Sequence, residues 1–264
     1  MLRSMYAGIS GMKGFQTKLD VIGNNIANVN TSGFKKGRVT FQDMMSQMTS
    51  GAQGATGDRG GINPAQVGLG SQLGTIDNIH TQGFRQTTNS PLDLALEGDG
   101  MFAVQGNGTT YYTRAGNFYL DNEGNIVNGD GYYLSDTNNA QINIPEDAKS
   151  FSIQTDGTVN YIDPAGDTQV AGQIGIASFS NPAGLEKAGS NLFLNSENAG
   201  YAGALVAPET EGTASIVSGS LEMSNVDLSE EFTEMITAQR GFQANTRIIT
   251  TSDEILQELV NLKR

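Results

Sequence analysis

The sequence predicts an α+β protein, with a long helix at each end and a mainly antiparallel β body inserted between them. Three observations carry this. Both ends hold seven-residue apolar stripes, Met5, Met12, Leu19 and Ile26 at the front and Met235, Phe242, Ile249 and Leu256 at the back. Between the ends, short apolar segments alternate with glycine- and asparagine-rich turn dipeptides. The charge also splits: residues 1–40 hold six basic and one acidic side chain (+5), and residues 225–264 hold four basic and seven acidic (−3). An apolar stripe repeating every seven residues needs a partner helix to cover it, so the termini are expected to form a coiled-coil stalk.

The first helix is expected from Leu2 to Asn28, about 40 Å of helix at 1.5 Å per residue. Leu2 and Ile9 add companion positions to its stripe, and the Asn-rich stretch before Gly33 stops it, because glycine takes the positive φ that ends a helix. From Met44 to Gly74 the composition shifts to Gln, Gly, Ser, Thr and Ala, the make-up of a linker or extended arm without its own core.

A β body follows. Strands are expected at Met101–Gln105, Thr110–Thr113, Asn117–Leu120, Asn125–Val127, Tyr132–Leu134, Ser150–Gln154, Thr158–Ile162 and Gln173–Phe179. Gly106-Asn107-Gly108, Asn122-Glu123-Gly124-Asn125, Asn128-Gly129-Asp130-Gly131 and Asp156-Gly157 have the chemistry of tight hairpin turns. Such short strands need several partners, so a compact antiparallel body follows. The second helix is expected from Asp227 to Lys263. Asp227 or Ser229 caps it, Glu230, Glu231 and Glu234 lie at its positive end, Phe232 and Val260 extend its stripe, and Lys263 and Arg264 stand at its negative end. The chain thus divides into 1–33 with 225–264 as a terminal-helix assembly domain, 34–74 as linker or arm, and 75–224 as the β-rich body.

Composition narrows the chemistry. The formal charge of −13 leaves −15 on the middle of the chain, which argues against a nucleic-acid partner. Without cysteine there is no disulfide, thiolate nucleophile or Cys-ligated zinc. No apolar run reaches membrane-spanning length, and Arg3 is not followed by the apolar core of a cleaved signal peptide. His80 is the only histidine, and no serine occupies a Gly-x-Ser-x-Gly elbow. The Gly-Lys of a phosphate-binding loop is absent, and Gly98-Asp99-Gly100 lacks the third glycine of a dinucleotide loop. Asp121, Glu123 and Asn125 alternate like calcium ligands, but Gly124 and Tyr132 stand in the wrong places, so a hairpin turn is the expected reading. No catalytic residue, cofactor or metal site is expected.

The most specific segment is Ile22-Gly23-Asn24-Asn25-Ile26-Ala27-Asn28-Val29-Asn30-Thr31-Ser32-Gly33-Phe34-Lys35. Asparagine amides compete for backbone groups inside a helix, so Asn24, Asn25 and Asn28 belong at a helix end or against a neighbour. This segment resembles the Asn-rich N-terminal motif of bacterial flagellar axial proteins, the rod, hook and hook-associated family. Ser220-Leu221-Glu222-Met223-Ser224-Asn225-Val226-Asp227-Leu228 and Met235-Ile236-Thr237-Ala238-Gln239-Arg240-Gly241-Phe242-Gln243-Ala244-Asn245 resemble its C-terminal block. Leu92-Asp93-Leu94-Ala95-Leu96-Glu97-Gly98-Asp99-Gly100-Met101-Phe102 and Tyr112-Thr113-Arg114-Ala115-Gly116-Asn117-Phe118 resemble its middle.

The resemblance implies a helical homopolymer outside the cytoplasmic membrane, its inner layer built from terminal helices. It implies export without a cleaved signal through the flagellar type III apparatus, and contact with adjoining rod, hook-cap and hook–filament junction proteins. The assembly positions it points to are Met5, Ile9, Met12, Leu19, Asn24, Asn25, Ile26, Asn28, Phe232, Met235, Phe242, Ile249, Leu256 and Val260. Within the family, Ile22–Ile26 and Asn225–Phe232 resemble the hook protein more closely, and the hook, a bending joint, is the expected member. The short length and the polar stretch 45–65 resemble the distal rod, a stiff shaft, which is the alternative. A secreted carbohydrate-binding or adhesive protein is the remote third reading.

Overall fold

The computed structural model describes residues 2–56, 59–201, 203–210 and 212–262. It is α+β, and the chain forms two compact units: residues 1–27, 37–78 and 227–264 make the first, and residues 28–36 and 79–226 the second.

In the first unit, helix α1 spans Leu2–Ala27 and helix α2 spans Leu228–Leu262. Asp227 caps α2: its carboxylate accepts from the Ser229 N–H at 2.8 Å and its carbonyl from the Glu231 N–H at 3.0 Å. Lys263 and Arg264, expected at the far end, lie outside the described residues. Residues 37–78, of which 37–74 fall in the stretch 34–74 expected as a linker or arm and 75–78 in the expected body, form a long β ribbon. Gly37–Asp43 pairs antiparallel with Ser71–Asn78, Ser46–Ser50 pairs with Ala65–Gly68, and bridges Gln53–Ile62 and Thr56–Arg59 continue toward the tip. Its order comes from backbone pairing, since side chains along Ser46–Ser50 and Ala65–Gly68 are all exposed.

The second unit is the β body, and every strand pairing in it is antiparallel. Its main sheet runs Glu186–Gly189, Leu192–Leu194, Thr109–Thr113, Met101–Gly106, Tyr133–Leu134, Ile126–Asn128 and Phe118–Leu120, with Ile176–Ala177 also on Met101–Gly106. A second sheet joins Ser150–Ile153, Thr158–Ile162 and Thr168–Gln173. Two ribbons pair Leu94–Glu97 with Ser215–Ser218, and Arg85–Thr87 with Ser220–Glu222.

Side-chain alternation along the central strand explains its unbroken apolar run. Phe102 and Val104 enter one hydrophobic cluster with Leu94, Phe118, Ile126 and Ile176, whereas Met101 and Ala103 enter another with Tyr112, Phe193 and Leu205. A strand buried on both faces reads as continuous apolar sequence. The hairpin turns follow their chemistry. Asn107 (φ 52°) and Gly108 (φ 75°) are both left-handed, as a two-residue primed turn requires. The Asp121–Asn125 stretch closes a hairpin, with Gly124 N–H donating to Asp121 O at 2.9 Å.

Candidate assembly site

Small residues let the two helices approach. Moving up α1, the neighbours on α2 descend: Gly8 lies by Ile249, Gly11 by Asn245, Phe15 by Gly241 and Lys18 by Glu234, so the helices run antiparallel. A Cβ at Gly11 would lie 2.8 Å from Asn245 Nδ2, and one at Gly241 2.6 Å from the Phe15 ring, which is why bare backbone is needed there. The buried residues of α2 are Glu231, Ala238 and Ser252, and with half-buried Asn245 they form their own seven-residue repeat. The apolar stripe Met235, Phe242, Ile249 and Leu256, four residues further on, is half-buried.

The other expected positions fall as follows. Met5, Met12, Leu19 and Ile26 are half-buried, Ile9 is 37% exposed, Phe232 48% and Val260 65%. The Leu2 side chain is outside the described residues. Asn24 is exposed, Asn28 half-buried and Asn25 buried. Asn25 acts as a clamp: its Nδ2 donates to Gly37 O at 2.9 Å and to Glu231 Oε2 at 3.1 Å, and its Oδ1 accepts from Gly37 N–H at 3.0 Å. One amide thereby ties the end of α1 to the ribbon and to the start of α2.

In the β body, a buried charge cluster joins segments that sequence spacing keeps far apart. Glu222 Oε1 accepts from Lys35 Nζ at 2.6 Å and from Gly83 N–H at 3.0 Å, while Oε2 accepts from Arg114 Nη1 at 3.1 Å. Lys35 also donates to Thr81 O at 2.8 Å and Arg114 Nη2 to Gly98 O at 2.7 Å. All three side chains are 5% exposed or less. Burial pushes the Lys35 ammonium below the ordinary lysine range, with Glu222 pulling the other way. His80 packs on Phe193 (centroids 5.5 Å apart), and neither ring nitrogen has a hydrogen-bond partner among the described residues. Burial, with Lys35, Arg114 and Lys187 nearby, lowers its pKa to about 4.

Lys35, Arg114 and Glu222 each sit in one of the three quoted motifs, yet none was expected as a site residue. Lys35 and Arg114 are the only charges in Ile22–Lys35 and Tyr112–Phe118, and Glu222 shares Ser220–Leu228 only with Asp227, which was the available signal. The cluster is a fully satisfied structural network and presents no free nucleophile.

Terminal helices that pair antiparallel, with a β body inserted between them in sequence and three motif segments of that chain joined through one carboxylate, are the make-up of a structural protein built around its two ends. Comparison with known proteins gives the family. Residues 5–35 match the model of the flagella basal body rod protein, residues 95–161 that of the flagellar hook protein FlgE/F/G D1 domain, and residues 217–262 that of the flagellar basal body rod FlgEFG protein C-terminal region. The chain is 62% identical over 264 residues to the flagellar basal-body rod protein FlgG of Bacillus subtilis, covering both chains completely. It is 40% identical over 266 positions to FlgG of Caulobacter vibrioides, covering 99% of this chain and all of that one. It is 31% identical to the flagellar hook protein FlgE of Borreliella burgdorferi, covering both chains, but over 444 aligned positions. The chain belongs to the flagellar rod and hook protein family and is a structural protein of the flagellum.

These relatives favour the rod alternative over the hook. The local motif likeness at Ile22–Ile26 and Asn225–Phe232 weighs less than length: the hook relative aligns over 444 positions against 264 here, about 180 that this chain does not fill.

Proposed function

We propose that this chain is a distal-rod subunit of the flagellar basal body, polymerising with itself into a helical tube. The observation that carries this reading is the end-to-end match to a rod protein at 62% identity, with no inserted domain. The terminal helices would supply the inner layer as a coiled-coil stalk, completing between copies the stripes that one chain leaves half-covered. Ile236 (58% exposed), Leu259 (49%) and Val260 (65%) stand ready on α2 for such contacts. The ribbon 37–78, with Met45 85% and Met48 59% exposed, would lock neighbouring copies and stiffen the shaft. Export through the flagellar type III apparatus, and placement outside the cytoplasmic membrane next to other rod and hook components, complete the reading.

Electron microscopy of basal bodies from a deletion strain tests it. Truncated rods are the expected result. Complete rods that merely lack a hook would overturn the rod assignment in favour of the hook subunit.

A further inference from the structure

The geometry points to a knob-and-cleft contact between copies: the Phe84 side chain of one β body seats in a cleft on the body of its neighbour, formed by Leu120, Ile144, Pro145 and Phe151. This rests on the reading above, in which copies polymerise.

Phe84 is 86% exposed, more than any other large apolar side chain among the described residues. A single exposed apolar residue is ordinary; a rigidly presented one is not. On one side, Gly83 N–H is held by Glu222 Oε1 at 3.0 Å; on the other, Phe84 O accepts from Met223 N–H at 2.8 Å. A Cβ at Gly83 would fall 1.9 Å from Met223 O, so the chain is pressed flat just before the ring. Strand Arg85–Thr87 then pairs at once with Ser220–Glu222. The buried charge cluster therefore fixes the base of the knob. An anchor whose backbone is already ordered loses little freedom on binding.

The cleft has a volume of about 550 Å³, within the range that takes an aromatic side chain. Its frame is equally fixed: Ile144 N–H donates to Gly124 O at 2.8 Å, Gly124 (φ 81°) leaves no room for a Cβ against Ile144 O, and Ala148 N–H donates to Pro145 O at 3.0 Å. The cleft is not filled by its own chain's Phe84, which remains exposed. Charge matches as well. Arg85, half-exposed and ion-paired with Glu97 at 3.2 Å, is the only charged residue from 79 to 88, and the cleft lining carries exposed Asp121 and Glu146, while Lys149 is held by Pro164 O at 2.7 Å. Knob and cleft are different patches, so their contact is head-to-tail, the kind that builds rings or open helices rather than a closed two-fold dimer.

The absence of cysteine makes the test clean. Gln82→Cys, which keeps Phe84, is combined with Ser150→Cys at the cleft, and purified basal bodies are treated with a short bismaleimide. A ladder of linked copies is expected, and none when Ser150→Cys is replaced by Thr109→Cys, exposed on the main sheet. Assembled rods without the ladder, or with the ladder only from the Thr109→Cys control, would overturn the contact while leaving the rod reading intact. Chain absent from the rods would overturn the rod reading itself. Independently, Phe84→Ala is expected to cut complete rods at least about tenfold, with Phe84→Tyr close to normal. The tyrosine-monitored melt of the monomer should not move, because the ring is exposed. Normal rod numbers with Phe84→Ala would sink the proposal.

Discussion

The two units solve opposite problems. The β body packs a core of large apolar residues (Phe102, Val104, Leu134 and Ile176 are all 0% exposed) and buries even a lysine, a glutamate and an arginine, each matched by partners. The helix-and-ribbon unit does the reverse. Its closest packing uses Gly8, Gly11, Gly241 and Ala238, and its large apolar residues Tyr6, Phe41, Ile236 and Val260 stay 41–68% exposed. The core of the body is therefore complete as a monomer, with Phe84 standing outside it. The helices hold together through small residues and one asparagine, and keep their apolar surface for later use. Hydrophobic area left in water contributes nothing to folding at about 25 cal/mol per Å² until something covers it.

The tyrosines let the two be observed separately. All but Tyr6 lie in the β body and there is no tryptophan, so tyrosine emission follows the body, and far-UV ellipticity is dominated by the helices. The largest expected effect is Glu222→Ala. It strands Lys35 and Arg114 without their shared carboxylate, and breaking a buried pair costs about 3–5 kcal/mol. In denaturant, the tyrosine transition should move to much lower midpoint, and an unchanged midpoint would mean the cluster is incidental.

The next effect is set by pH. His80 has a folded pKa of about 4 against an ordinary 6.5. Between those values the unfolded chain carries a proton that the folded body refuses, so acidification draws the equilibrium toward unfolding. Stability tied to His80 is intact above about pH 6.5 and falls by roughly 3 kcal/mol as the pH approaches 4. His80→Phe should flatten the tyrosine-monitored stability slope across that window. An equal slope in both proteins would refute the burial account.

In the helical unit, Asn25→Ala removes three hydrogen bonds, two to Gly37 and one to Glu231. The half-buried Gly37 groups and the buried Glu231 carboxylate lose this partner at a cost of about 2–3 kcal/mol, partly offset by alanine's better helix propensity of roughly 0.7 kcal/mol. Ellipticity should be lost at lower denaturant while tyrosine emission stays put. If both signals moved together, the two regions would be one cooperative unit.

How much of this was legible depended on sequence separation. Both helices could be read from stripes at fixed spacing, and the body's hairpins from turns such as Asn107-Gly108, because those signals are local. The register of the helix pair could not. Its buried repeat, Glu231, Ala238, Asn245 and Ser252, contains no large apolar residue, and counting hydrophobics selects the neighbouring stripe instead. Gly8, Gly11 and Gly14 at three-residue spacing were the missed clue to close approach. The ribbon 37–78 escaped because main-chain pairing, not apolar alternation, orders its outer half. The charge cluster spans 187 residues from Lys35 to Glu222 and 108 from Arg114 to Glu222, and a single sequence gives no means of pairing charges at such distances. Recognising the three motifs showed that they belong together, but not that one carboxylate joins them.

The smallest expected effect is the most local, and it sharpens the comparison at the point where α2 begins. Asp227 satisfies the Ser229 N–H with its side chain, and helix caps of this kind contribute about 1 kcal/mol. Its charge also favours the positive helix end, which adds a few tenths at low salt. Asp227→Ala should therefore fray the first turn of α2, speeding amide exchange at Ser229 and its neighbours. Exchange in strand Met101–Gly106, buried on both faces, should not change. Asp227→Asn, which keeps the acceptor and loses the charge, should recover most of the loss and make the remainder salt-dependent. If Asp227→Ala instead loosened Met101–Gly106, the cap would have to be supporting the body, and the division of labour between self-sufficient core and unfinished helices would fail.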